Sequence, residues 1–257
     1  MSGNKFVLPR RRFLTGAALG AGGILLSGCD MLNENQGFRS ILRSGEALNK
    51  TAQRLITDRS ALAREFSEHD ISPIFKANGS ISGATPEYAA HVAKGFADWQ
   101  LQINGMVSKP LSLHLKQLMA MPSREQITRH DCVEGWSAIG KWRGTPLYLL
   151  LKQAGLSTKA RYVVFHCADS FGADPYYESI DMVDAFHPQT ILAWSMNGQI
   201  LPEKYGAPLR LRVERQLGYK HAKYIMRIEA TDSLAKFYGG KGGYWEDQVD
   251  YDWYAGI

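Results

Sequence analysis

Cys132 is the residue whose type and surroundings most directly suggest chemistry. It follows His130 and Asp131 and precedes Glu134-Gly135-Trp136 in the stretch RHDCVEGWSAIGKWRGTPL, residues 129–147. Zinc needs several ligands converging at about 2.0–2.3 Å. His130, Asp131 and Cys132 are adjacent, strand neighbours point to opposite faces, and no CxxC or HxxxH spacing accompanies them. A cysteine nucleophile needs a base nearby in space, for which His130, His166, His187 and His221 are candidates, although a lone histidine is more often structural. A Cys132–Cys167 disulfide is a further option in an oxidising compartment. A thiolate bound to a soft metal held by an organic cofactor needs only one protein sulfur, plus cationic and amide groups that hold the cofactor.

Such a set occurs late in the chain, in YGAPLRLRVERQLGYKHAK, residues 205–223. Arg210, Arg212, Arg215, Lys220 and Lys223 supply five cations, and Gly206, Pro208 and Gly218 punctuate the segment. Arg210 and Arg212 alternate, so in a strand they share one face. Arginine offers a planar fork to a phosphate and lysine a compact charge. An exposed basic strand is the competing reading, and residue types alone favour it.

These residues need elements to position them. The chain has 257 residues, 45% apolar and 21% charged, which suits one compact domain with a tail. Residues 9–15, PRRRFLT, match the twin-arginine export pattern, and LSGC at 26–29 resembles a bacterial lipobox. The intervening run is too short and glycine-rich for a membrane span. We expect a signal over 1–28, an acylated Cys29 anchoring the mature protein, a tether and helical arm over 29–70, and a catalytic domain over 71–257. The net charge of +5 misleads: without residues 1–28, 26 basic residues face 25 acidic ones, and nothing argues for nucleic acid.

Phe38, Ile41, Leu48, Ala52, Leu55, Leu62 and Phe66 recur at helical spacing, predicting an arm packed on the domain. Thr85-Pro86 caps a helix ending near Gly95. Trp99, Leu101 and Ile103 alternate into Asn104-Gly105, which predicts a hairpin continuing through Met106-Val107. Strands are predicted at 127–133, 162–167, 209–213 and 224–230, with a second hairpin from 191–196 through Asn197-Gly198 to 199–201. Pro146 opens a helix striped by Leu147, Leu150 and Leu151 and closed by Gly155. Asp181 caps another short helix. The terminal GGKGGYWEDQVDYDWYAGI reads as a loop on composition. The sum is an α+β domain of mixed sheets, short helices and long loops.

Three blocks taken together and in order, HDCVEGWSAIGKWRGTPL, LAWSMNGQILPEKYGAPLRL and LGYKHAKYIMRIE, resemble the sulfite-oxidase-like molybdopterin oxidoreductases. The likeness is to the bacterial branch near the periplasmic methionine sulfoxide reductase catalytic subunits, and it runs from Asn78 to the C-terminus. It implies a sulfite-oxidase-type molybdopterin-binding domain with a molybdenum–molybdopterin cofactor. Cys132 is implied as the molybdenum ligand, and Arg210 and Lys223 as holders of the pterin phosphate. His221 and Ala222 are implied to give backbone contacts, and Asn78 and Cys167 to lie at pterin-contacting positions. Tyr205 stands where relatives carry His or Asn. Tyr205, Trp136 and Arg129 are the residues expected on the substrate side.

The implied activity is oxygen-atom transfer on a small substrate. Sulfite oxidases place Arg soon after the cysteine; Val133-Glu134-Gly135-Trp136-Ser137 is a poor cradle for a dianion and suits a neutral oxide such as a sulfoxide. No CxxCH or ferredoxin-like cysteine run occurs, so electrons are expected from another protein, with a membrane b-type cytochrome as partner. Asp30 after Cys29 suggests retention at the inner membrane on the periplasmic side, and the chain is expected to be a monomer. A cofactor-free periplasmic lipoprotein acting in binding or assembly, a sulfite-type oxidase and a Cys132–histidine thiol enzyme are the alternatives.

Overall fold

The computed structural model describes residues 35–58, 60–172 and 174–257. The twin-arginine stretch, Cys29 and Asp30 lie outside the described residues. The chain divides into two compact units, Met1–Gln53 and Arg54–Ile257. The described residues of the first lie almost wholly in a helix, α1 (Gln36–Ile56). Asn35 caps it, its side-chain oxygen accepting the N–H groups of Gly37 and Phe38 at 2.9 and 3.1 Å.

The expected arm is shorter than its apolar pattern. Leu62 and Phe66 lie beyond the end of α1 because Asp58 turns the chain, accepting the Ser60 N–H at 2.7 Å. Glu65 then bridges to Thr128, and Phe66 N–H donates to the Ile127 carbonyl at 2.9 Å. No helix among the described residues is long and apolar enough to cross a membrane.

The larger unit is an α+β fold of two five-stranded sheets. Its elements run α2 (Pro86–Ala93), β1 (Gln100–Gly105), β2 (Leu111–His114), α3 (Leu115–Ala120), β3 (Arg124–Asp131) and β4 (Ser137–Pro146). They continue α4 (Leu147–Gln153), β5 (Tyr162–Phe171), β6 (Asp174–Asp181), α5 (Met182–Ala185), β7 (Ile191–Met196) and β8 (Gln199–Ile200). The chain ends with β9 (Arg210–Arg212), β10 (Ile225–Thr231) and α6 (Tyr244–Val249). One sheet has the order β2-β1-β10-β5-β6; the other is β3-β4-β7-β8, with β9 also on β7.

The strand β7 shows why the core has two parts. ILAWSM has no polar alternation, and every residue of β7 is buried, as a strand covered on both faces requires. Leu192 and Trp194 enter the main core with Val163, Phe165, Leu209 and Leu211. Ile191, Ala193 and Met196 face the other way, onto Phe75, Ala138 and Trp142.

Two expectations are corrected. Asn104-Gly105 is not a hairpin turn: β1 pairs with β2, after an intervening stretch at 106–110, and lies parallel to β10. Gly105, at φ +83°, serves close approach instead; a Cβ there would sit 2.2 Å from the Ala230 carbonyl oxygen on β10. The C-terminal stretch read as a loop contains α6, held where Tyr244 is buried against Phe171 and Tyr176.

Candidate functional site

The β3–β4 hairpin places Cys132. Its arms pair as far as Asp131 and Ser137. The loop between them closes when Cys132 N–H donates to the Trp136 carbonyl at 2.9 Å and Gly135 N–H to the Cys132 carbonyl at 3.0 Å. The Cys132 sulfur accepts from the Asn78 side-chain amide at 3.4 Å. Its hydrogen-bonding neighbour is thus an amide and not an imidazole, and Cys132 and Cys167 are both free thiols.

Cys132 opens on a cavity of about 320 Å³. Asn78, Trp136, Arg210, His221 and Lys223, all singled out in the sequence, line it with Cys132. Folding sorts the five late cations. Arg212 is buried against Glu214 at 2.6 Å, Arg215 lies 3.3 Å from Asp184, and Lys220 is buried between Glu178 and Glu246. Arg210 and Lys223 have no carboxylate within salt-bridge distance among the described residues, and both face the cavity. The basic strand is therefore buried rather than exposed: Arg210 and Arg212 do share one face of β9, against the ring of Trp142, at 5.4 and 4.4 Å from its centroid.

The surroundings shift the charges. Burial, then the neighbouring Arg212, lowers the Arg210 guanidinium to about 9. Burial, then Arg210, lowers the Lys223 ammonium to about 7. Lys223 donates to the backbone oxygens of Asn78, at 2.8 Å, and of Ser80, fixing the loop that carries Asn78. Asp169, buried at the same cavity, is raised to about 6 by burial while one oxygen accepts from Ser80. Burial holds His130 and His221 well below the ordinary histidine range, reinforced by Arg210 and Arg212.

The remaining sequence candidates stand elsewhere. Tyr205 donates to the Phe75 carbonyl at 2.7 Å and packs edge-on to that ring, off the cavity wall. Arg129 projects from the outer face of β3 and pairs with Asp131 at 2.9 Å, because β3 buries Gln126, Thr128 and His130 in alternation. Neither lines the cavity, contrary to the substrate-side expectation for both. Cys167 is off the wall too; burial pushes its thiol up, and its sulfur faces the Phe165 carbonyl at 3.9 Å. Ala222 is buried and pairs its carbonyl with Leu211 N–H at 2.8 Å, holding β9 beside the Lys223 segment.

Sequence reasoning did not assign Asp169, Lys76, Tyr219, Trp245 or Tyr251 to the site, yet all line the cavity. Trp245 and Tyr251 come from the C-terminal stretch, and its aromatic richness was the available signal. Lys76 lies over the Trp136 ring at 5.6 Å, and Trp136 donates to Glu134 at 3.3 Å, so the mouth carries one charge of each sign.

Three buried polar atoms on the wall lack a hydrogen-bond partner among the described residues: Asp169 Oδ1, Arg210 Nε and His221 Nδ1. Such atoms are costly unless a ligand pairs them. One thiol, two cations freed of carboxylates and several orphaned polar atoms fit a soft metal on an organic group that bears a phosphate.

Residues 87–238 match the family model described as oxidoreductase molybdopterin binding domain. A protein of Azospira oryzae named as a protein-methionine-sulfoxide reductase subunit, YedZ1, is 39% identical over 99% of this chain and 90% of its own length. The protein-methionine-sulfoxide reductase catalytic subunit MsrP of Ralstonia nicotianae is 38% identical over 52% of this chain and 44% of that one. The sulfane dehydrogenase SoxCD of Paracoccus pantotrophus gives a TM-score of 0.49 at 25% identity, over 53% of this chain and 39% of that chain.

Proposed function

Because the chain belongs to the oxidoreductase molybdopterin binding domain family, we propose that this molybdopterin-dependent enzyme reduces a sulfoxide, with methionine sulfoxide in polypeptides as the substrate its relatives' names suggest. The observation that carries the reading is the convergence of Cys132, Asn78, Arg210 and Lys223 on one cavity.

The net reaction breaks the S–O bond, delivers two electrons to sulfur and releases the oxygen, with two protons, as water. The pterin-held molybdenum supplies the two-electron chemistry when bound. Cys132 is the protein sulfur for that metal, and the Asn78 amide orients the thiolate by donating to it. Arg210 and Lys223 neutralise the pterin phosphate in a buried setting where such pairing is strong. Trp136, Trp245 and Tyr251 restrict water and pack the apolar substituents of the sulfoxide. With Glu134 and Lys76 of opposite sign at the mouth, a neutral oxide suits it better than a sulfite dianion.

The twin-arginine pattern, the lipobox at Cys29 and Asp30 support export and anchoring at the periplasmic face of the inner membrane. Its relatives' designation as subunits supports a separate electron donor, for which a membrane b-type cytochrome is the proposal. The enzyme itself acts as a monomer in this reading.

Cys132→Ser, exported by its own signal, tests the proposal. Molybdenum bound per chain and dye-driven turnover of methionine sulfoxide should both fall, turnover by more than about a hundredfold. Full turnover with unchanged metal content would sink it. Faster turnover of sulfite than of any S- or N-oxide would redirect it to sulfite-type oxidation.

A further inference from the structure

Two buried histidines behind Cys132 have their tautomers fixed by neighbours that can play only one role. Arg212 donates from Nε and Nη2 to the two carboxylate oxygens of Glu214 at 2.9 and 2.6 Å. Its Nη1 lies 3.1 Å from Nδ1 of His130. A guanidinium has donors only, so Nδ1 of His130 carries the lone pair and Nε2 the hydrogen. His221 is held from the other side. Its Nε2 lies 3.1 Å from the Gln216 carbonyl oxygen, which only accepts, so Nε2 donates there and Nδ1 keeps a lone pair.

That Nδ1 is buried and makes no hydrogen bond among the described residues, although the Val213 backbone also lies against the ring. The two rings meet edge to face with centroids 5.1 Å apart, and both line the cavity. Gly218 reserves the space: a Cβ there would lie 2.5 Å from Nε2 of His130. The wall thus offers a donor and an acceptor side by side. A phosphate has no use for the acceptor, whose lone pair would repel it, and a sulfoxide oxygen has no hydrogen to give it. A pterin ring, with N–H groups and lone-pair atoms along its edge, matches both.

We propose that His130 and His221 form a fixed donor–acceptor pair for the ring of the pterin, with Arg212 and Glu214 as positioning residues that lock the His130 tautomer. The inference rests on the cofactor reading above and adds side-chain roles to it.

Nitrogen-15 NMR of the oxidised holoenzyme should show both histidines as the Nε2–H tautomer, with Arg212→Met freeing His130 to populate the other form. Pterin and molybdenum per chain, and the Mo(V) electron paramagnetic resonance signal, then test the contacts. His221→Leu removes the acceptor and His130→Met the donor; each should weaken pterin retention by about tenfold and alter the signal. His221→Asn and His130→Gln put an amide oxygen or nitrogen where the ring atom stood, and both should restore retention to within about threefold of the parent. Parent protein that is loaded, with Leu and Met variants equally loaded and spectroscopically unchanged, overturns the inference while the cofactor reading stands. Parent protein exported intact without molybdenum or pterin overturns both. If the Leu and Met variants do not fold, the tautomers decide: His130 protonated on Nδ1 in the parent protein overturns the lock.

Discussion

At the scale of single residues, the site is defined by which charges are left without a counter-charge. Arg212 and Arg210 are two positions apart on β9 and both buried, yet Arg212 is spent on Glu214 while Arg210 keeps an orphaned Nε and a repelling neighbour. A buried cation under repulsion is costly, and a ligand anion offsets that cost. Arg210→Met should therefore leave the thermal midpoint of the cofactor-free protein unchanged or higher, while molybdopterin retention falls by more than about tenfold. Paired melting curves and metal analysis read the two effects separately. A lower midpoint in the cofactor-free protein would show Arg210 to be a structural residue, held by its bond to the Tyr205 carbonyl at 3.2 Å.

At the scale of elements, the C-terminal helix is fastened by charge. Lys220 donates to Glu178 on β6 and to Glu246 on α6, the latter at 2.5 Å, and all three are buried. Burial, then the nearby Glu246, raises Glu178 well above the carboxylate range, against the opposing pull of Lys220. Lys220→Met leaves the carboxylates facing each other without their cation and should cost about 3–5 kcal/mol. Glu178→Gln removes a charge that burial disfavours, keeps the shape and an acceptor for Lys220, and should cost about 1 kcal/mol or less. Urea titrations compare the two; equal losses would show that the Glu178 charge is as necessary to the group as that of Lys220. Because α6 carries Trp245 to the cavity, the lysine variant should also redden tryptophan emission.

This fastening was illegible in the sequence. Lys220 read as one more cation, and nothing local couples residues 178, 220 and 246. Local signals served better: the continuous apolar run of β7, the Thr85 and Asp181 caps, and Pro146 before α4 all act within a few residues. Asn104-Gly105 misled because a close strand contact and a turn both favour glycine. Among the site residues, Cys132, Arg210 and Lys223 stood in recognisable blocks. Asp169 did not, since an acidic residue in a strand says nothing of its burial until β5 is placed in its sheet.

At the scale of the whole molecule, pH response follows from counting protons that folding shifts. His166 is held down to about 4 by burial, then by Arg227, against the opposing pull of Glu229, 3.3 Å away. His187 is lowered too, chiefly by burial; its Nδ1 accepts the Gln189 N–H at 3.2 Å, a bond that protonation breaks. With His130 and His221, four histidines stay neutral in the folded chain where unfolded ones take up protons near about 6.5. Their contribution is complete above that value and is lost as pH falls toward the folded values. Asp169 and Glu178 work in reverse, binding protons in the folded state before the unfolded chain does. Four outweigh two, so the cofactor-free protein should lose stability between about pH 6.5 and about pH 4, at about 1.4 kcal/mol per pH unit for each unmatched proton. His166 lies outside the cavity wall, so His166→Gln should flatten that slope by up to one proton's worth without changing pterin retention. Unfolding free energies across the window measure the slope, and an unaltered slope in the variant would mean that His166 is already charged in the folded protein.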